Sequence, residues 1–145
     1  MSPLSIFIRG RYGAGFVDVS GSILIGLGAG TLCYLAMQLR PRLKVDDALD
    51  VWAVHGIGGT WGAIATGLFA TVAINSGGAN GLFFGNPSQL LTQVIAVGAT
   101  WIYAAGATFV IVKVIDLTIG MRVREHEESL GLDASQHGEI AYQLD

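Results

Sequence analysis

Charged side chains are scarce in this sequence, and they are unevenly distributed. Only 13% of the 145 residues are Asp, Glu, Lys or Arg, whereas 52% are hydrophobic, and the mean hydropathy is +0.56. Three stretches contain no charged residue at all: 19–39, 51–74 and 90–112. A bilayer core about 30 Å thick requires about 20 apolar residues per helix. The sequence therefore predicts an all-α integral membrane protein with three transmembrane helices and a polar tail.

Other absences exclude further classes of protein. Cys33 is the single cysteine, so the sequence cannot form an internal disulfide, and no basic patch favours nucleic-acid binding. His126 and His137 do not have the spacing of a metal site. Because the predicted helices also lack paired carboxylates, we expect no metal, no other cofactor and no enzymatic activity.

The polar segments divide the chain and predict its orientation. We predict transmembrane helices over 16–39, 48–74 and 89–116, with an atypical segment at 1–15 and a cytoplasmic tail at 117–145. Cytoplasmic loops are enriched in Lys and Arg. Basic residues follow the first and third helices, whereas the loop after the second helix has none. We therefore expect a multi-pass protein of the cell membrane with its N terminus outside and its C terminus in the cytoplasm.

One ionisable side chain, His55, lies inside the second uncharged stretch. An ionisable residue within a bilayer is costly, faces a bundle interior or an aqueous cavity, and is a functional-site hypothesis by default. We predict that His55 lines a substrate pathway and that Val51, one helical turn earlier, lies beside it. The alternative is that His55 only hydrogen-bonds across a packed helix interface.

Three carboxylates precede this histidine: Asp46, Asp47 and Asp50. Carboxylates at a helix N terminus cap exposed backbone N–H groups and complement the helix dipole. The sequence therefore predicts that the second helix begins near Asp47, with Asp50 in its first turn and His55 roughly 12 Å along it. A direct role of the aspartates in gating is the alternative to capping.

Small residues recur at helical spacing in the first two predicted helices. They are Gly26 and Gly30 in the first helix and Gly58, Gly59 and Gly62 in the second. Small residues on one helix face let a neighbouring helix approach closely. We therefore predict tight packing at these glycines, with His55 on the same face as those of the second helix.

Two separated motifs, in the correct order, resemble a known family. Residues 46–59 read DDALDVWAVHGIGG, and the tail contains GMRV at 120–123 and HGEIAY at 137–142. Together they resemble the penultimate helix and cytoplasmic C terminus of the ammonium transporter, methylammonium permease and Rhesus family. The resemblance extends from about residue 15 to residue 142.

The resemblance implies a fold and a function. By this resemblance, the chain would correspond to the last three helices of an eleven-helix subunit of a homotrimer in which each subunit has its own pore. In that family, ammonium is recruited at an outer vestibule and loses its proton, and ammonia then crosses a pore that contains two adjacent histidines. His55 matches the second of these. A neutral molecule avoids most of the dehydration cost that an ion pays in an apolar channel.

The resemblance also assigns the tail. It implies a regulatory role for the tail and a PII-type nitrogen regulatory protein as a partner; the residues concerned are Gly120, Arg122, His137, Gly138 and Tyr142. The first pore histidine and the outer recruitment site belong to helices that would precede residue 1. A truncated, non-transporting membrane fragment or subunit is therefore the alternative for this chain alone.

Overall fold

Helices form most of the computed structural model, which describes residues 15–139. The long elements are α1 (Val19–Leu43), α2 (Gly58–Phe69) and α3 (Pro87–Thr118). A π-helical turn, Trp52–Ile57, leads directly into α2, and we call it the first π turn. The tail contains a short α4 (Glu125–Leu130) and a second π turn (Asp133–His137). Within residues 15–139, the only β pairing is an isolated antiparallel bridge between Val17 and Ala70.

Local interactions explain the two ends of α1. Asp18 caps the helix, because its Oδ1 accepts a hydrogen bond of 2.7 Å from the Gly21 N–H. The helix was predicted over 16–39 but continues to Leu43, with two arginines in its last turn, where positive charge complements the helix dipole. It ends at Lys44, whose φ of 53° is left-handed.

The second helix differs most from its prediction. It was predicted over 48–74, but regular structure begins with the first π turn at Trp52 and ends at Phe69. Asp50 has a left-handed φ of 55°, which prevents the helix from starting earlier. Ala70 is extended and pairs with Val17, and the Thr71 N–H donates to the Phe16 carbonyl at 2.8 Å. This pairing ends the helix before Ile74.

The buried core of the described residues lies between α1 and α2. Val17, Ile25 and Ala65 form it, with Trp61 and Phe69 packed against them. The Trp61 Nε1–H donates to the Ile25 carbonyl at 3.0 Å and so ties the two helices together. Because the indole N–H has this partner, the tryptophan can be buried without leaving an unsatisfied donor.

By length and composition, α1 and α3 could each cross a membrane. The second predicted span, 48–74, is instead divided into the first π turn and the twelve-residue α2. α3 extends slightly beyond the predicted 89–116 and contributes no buried residue within the described chain. The chain divides into two compact units between Trp101 and Ile102, so the first unit contains α1, α2 and the beginning of α3.

Candidate functional site

His55 lies in the middle of the first π turn and is exposed. No hydrogen bond to its ring is formed by any residue of the described range 15–139. Val51 immediately precedes the turn and is 50% exposed. π-Helical turns are rare and occur frequently at functional sites. His55 and Val51, the two residues predicted to line a substrate pathway, thus lie at an irregular and exposed part of the helix.

The buried side of the same turn faces α1. Ala53 has no exposed surface, and the Cys33 thiol lies 3.9 Å from the Val54 carbonyl oxygen. A β-carbon at Gly58 would lie only 2.9 Å from the Cys33 sulfur, so this glycine permits the close approach of the helices. The first π turn thus packs one side on α1 and leaves His55 on another.

The glycines that were predicted to pack tightly differ in whether another described residue contacts them. Gly58 has the tight contact that was predicted, and Gly26 is half-buried. Gly30, Gly59 and Gly62 have open space where a β-carbon would stand, so no described residue packs tightly on them. Within residues 15–139, His55 is exposed while Gly58 faces Cys33. That His55 shares a packed face with the glycines of this helix stays a prediction. A π turn places an additional residue in one helical turn and so changes the α-helical spacing used for that prediction.

Two close contacts were missed because they depend on residues distant in sequence. A β-carbon at Gly28 would lie 2.5 Å from the Trp61 ring, and one at Gly67 would lie 3.0 Å from the Leu90 Cα. The first contact joins α1 to α2, and the second joins α2 to α3. For Gly28, the run Leu27-Gly28-Ala29-Gly30 was the available signal, but it does not identify Trp61 as the partner.

The three predicted aspartates have different roles. The Asp47 carboxylate accepts hydrogen bonds from the backbone N–H groups of Val51 (3.0 Å) and Trp52 (2.6 Å) and so caps the first π turn. These bonds, with the one from Trp52 the strongest, lower the pKa of Asp47. The Asp50 carboxylate instead forms an ion pair of 2.9 Å with Arg40. Asp46 is exposed in the same connection.

The position of His55 along its helix also needs correction. Because regular structure begins at Trp52 rather than near Asp47, the histidine is only one turn from the helix start. The distance of 12 Å from the helix start, expected from the sequence, is therefore too large.

Hydrogen bonds also stabilise the end of the first π turn. Thr60 Oγ1 donates to the Gly56 carbonyl (2.7 Å), and Trp101 Nε1–H donates to Thr60 Oγ1 (2.9 Å).

The tail residues belong to the second unit. Gly120, with a φ of 79°, follows the end of α3, and Gly138, with a φ of 67°, ends the second π turn after His137. Arg122 forms an ion pair of 2.9 Å with Glu128, which lowers the pKa of that carboxyl. Tyr142 lies outside the described residues. Residues 15–139 contain no group of three His, Cys, Asp or Glu side chains that could hold a metal ion.

Two helices that are long and apolar enough to cross a membrane, with a histidine in an irregular, uncharged turn, are consistent with the class of helical membrane proteins. The sequence pattern of the Ammonium Transporter Family matches residues 12–142. The chain therefore belongs to the Ammonium Transporter Family, a family of membrane transporters and not of enzymes.

Individual relatives agree with this assignment. Ammonium transporter Amt1 of Archaeoglobus fulgidus is 53% identical over 129 residues, which are 89% of this chain and 32% of that protein. The ammonium transporter of Bacillus subtilis is 50% identical over 90% of this chain and 32% of its own length. The chain thus spans about a third of the length of these curated relatives.

Solved structures show the same helical fold. Mep2 of Saccharomyces cerevisiae matches with a TM-score of 0.76 and 30% identity, over 89% of this chain and 31% of the Mep2 chain. Mep2 of Candida albicans matches with a TM-score of 0.72 and 32% identity, over 83% of this chain and 29% of that one. The predicted all-α fold related to ammonium transporters is therefore confirmed.

Proposed function

We propose that this chain acts in transmembrane transport of ammonium or ammonia as the C-terminal portion of a channel-like transporter, with His55 and Val51 lining the substrate pathway. One observation carries the proposal: the Cys33 thiol lies against Val54 of the first π turn and against Gly58 at the start of α2, while His55 is exposed and without a hydrogen bond among residues 15–139. The open side of the turn is available to helices outside this chain.

The chemistry of the turn suits a small substrate that crosses in neutral form. The α2 region from Val51 to Phe69 contains no charged side chain besides the ionisable His55. Moving ammonium through such a segment requires loss of its hydration shell, whereas ammonia loses much less hydration free energy. A neutral imidazole can donate one hydrogen bond to, and accept another from, a small molecule that passes it.

The proposal includes an assembly and an orientation. In the complete protein we infer a homotrimer with its N terminus outside, its tail in the cytoplasm and a PII-type regulatory protein bound on the cytoplasmic face. The basic residues Arg40, Arg42 and Lys44 support this orientation.

A pull-down of PII protein by the complete transporter, with and without residues 120–142, tests the proposed partner. Equal recovery of PII from both forms would contradict the tail's role.

The main test is uptake of labelled methylammonium by cells that carry the complete transporter with this C-terminal sequence. We expect His55→Ala to lower uptake about tenfold, equivalent to about 1.4 kcal/mol in the barrier. His55→Glu places a charge at the same site, and we expect it to change uptake as well. His126→Ala is the matched control, because His126 is exposed in the tail. Uptake unchanged by both substitutions of His55 would remove it from the pathway.

The alternative is a non-transporting fragment or subunit in which His55 is only a helix-packing residue. The close contact of Gly58 with Cys33, one turn away, shows that this helix does pack tightly elsewhere. Under the alternative, His55→Asn disrupts assembly of the complete protein. Under our proposal, His55→Asn alters uptake while the trimer persists, and size-exclusion chromatography with light scattering measures that persistence.

A further inference from the structure

One arginine near the end of α1 contacts two of the aspartates in the connection that leads to the first π turn. Arg40 Nη1 lies 2.9 Å from Asp50 Oδ1 and also donates a hydrogen bond to the Asp47 carbonyl oxygen. The two side chains of the ion pair are only 26% and 34% exposed. A charge-assisted contact of this kind, shielded from water, is stronger than the same contact on an open surface.

The residues held by Arg40 are those that begin the first π turn. Asp47 caps the turn through the N–H groups of Val51 and Trp52. The Asp50 carbonyl accepts a hydrogen bond of 2.9 Å from the Val54 N–H, immediately before His55. The Arg40 guanidinium group therefore contacts two residues that hydrogen-bond to the segment around His55. Asp47 binds the start of the turn, and Asp50 binds the residue before His55.

Backbone geometry makes this connection consequential. Asp50 has a φ of 55°, a left-handed conformation that is unfavourable for residues other than glycine and is tolerated best by Asn and Asp. Such a conformation persists when surrounding contacts enforce it. Asp50 lies two residues before Trp52, where the first π turn begins, so the conformation of Asp50 fixes how the chain enters the turn that contains His55.

We propose that Arg40 is a positioning residue for His55: by fixing Asp47 and Asp50, its guanidinium group sets the start of the first π turn and the orientation of the histidine. Its consequence for transport depends on the proposed function, whereas its effect on His55 does not. The neighbouring Arg42 is exposed and has no such contact with another described residue, although it contributes the same charge to the connection.

The test measures the reactivity of His55 in the complete transporter. Diethyl pyrocarbonate modifies histidine rings, and mass spectrometry of the digest gives the rate at each histidine separately. We expect Arg40→Gln to change the rate at His55 about threefold or more, since the loss of one charged hydrogen-bonding partner disturbs a local equilibrium by that order. The rate at His126 should not change, and Arg42→Gln should change neither rate.

Two further variants distinguish positioning from general loss of structure. Asp50→Asn removes the ion pair but retains a side chain that tolerates the left-handed conformation, and it should reproduce the effect of Arg40→Gln at His55. Arg40→Lys keeps the charge and should restore part of the wild-type rate. If Arg40→Gln and Asp50→Asn leave the His55 rate equal to that of Arg42→Gln, the proposal is overturned. Parallel changes at His126 with loss of the trimer would also overturn it.

Uptake measurements separate this proposal from the proposed function. If both are correct, Arg40→Gln lowers the maximal rate of methylammonium uptake, because it displaces a side chain that lines the pathway. If Arg40→Gln changes the reactivity of His55 while His55→Ala leaves uptake unchanged, the positioning role stands and the pathway role fails.

Discussion

The helix pair α1 and α2 differs from α3 in how its apolar surface is used. The first two helices contribute a buried core, with Ala65 completely buried and Trp61 hydrogen-bonded to the opposite helix. α3 is more apolar than α1 but contributes no buried residue within the described chain. Hydropathy therefore identifies both kinds of helix, while only close contacts between particular small and large side chains show which helices are partners within this chain.

The contact of Gly28 with Trp61 should be the most sensitive part of the helix pair. Gly28→Ala places a β-carbon 2.5 Å from the indole, so the ring or the backbone must move. We expect a loss of about 1–3 kcal/mol in the free energy of unfolding, measured as a lower thermal midpoint of the complete transporter in detergent. Gly30→Ala is the control, because position 30 faces open space in this chain. Equal loss in both variants would contradict a specific contact.

The contact of Gly58 with Cys33 should give a smaller effect. Gly58→Ala brings a β-carbon to 2.9 Å from the sulfur, but a thiol on a side chain can move more easily than an indole ring. We expect a loss of about 1 kcal/mol in stability, with Gly59→Ala as the control on the open side. Cys33→Ala should remove part of the penalty in the double variant. Independent, additive effects of the two substitutions would show that they do not touch.

The cap of the first π turn should depend on pH. The pKa of Asp47 is lowered chiefly by its hydrogen bond with the Trp52 N–H, so its contribution is present above the ordinary carboxyl pKa and is lost as the pH falls through the lowered value. We expect the difference in thermal midpoint between the wild type and Asp47→Asn to be constant above about pH 4 and to shrink below it. A difference that persists unchanged at lower pH would contradict this role of the carboxylate.

The ion pair of the tail should have the smallest effect. Arg122 and Glu128 have the same separation as Arg40 and Asp50, but their side chains are 69% and 45% exposed. Exposed pairs contribute little because water and salt screen them. We therefore expect Arg122→Gln to leave the thermal midpoint unchanged, while Arg40→Gln lowers it. A larger loss from Arg122→Gln than from Arg40→Gln would reverse the comparison.

The sequence alone predicted the ends of those helices that are flanked by charged or polar residues. The first and third predicted helices, 16–39 and 89–116, lie close to α1 and α3 because uncharged runs end at polar residues there. The second helix was predicted too long at both ends. Its start depends on the left-handed conformation of Asp50, and its end depends on the pairing of Ala70 with Val17, a contact distant in sequence.

The candidate site shows the same division between local and distant information. His55 could be selected from sequence because an ionisable residue in an uncharged run is unusual. The π-helical turn around His55 and the exposure of its ring could not be predicted from the sequence, because α-helical spacing places His55 on the same face as the glycines. Arg40 was considered only as a charge that sets orientation, because its pairing with Asp50 depends on how the chain turns between the two helices.

Protection of His55 by the substrate tests the account most directly. In the complete, purified transporter, diethyl pyrocarbonate modifies His55, His126 and His137, and one digest reports all three rates. We predict that ammonium slows modification of His55 more than that of the two exposed tail histidines, whose rates correct for reagent consumed by ammonia. If the ratio of the His55 rate to the tail rates is the same with and without ammonium, while the same preparation transports ammonium after reconstitution into vesicles, His55 does not line the substrate pathway.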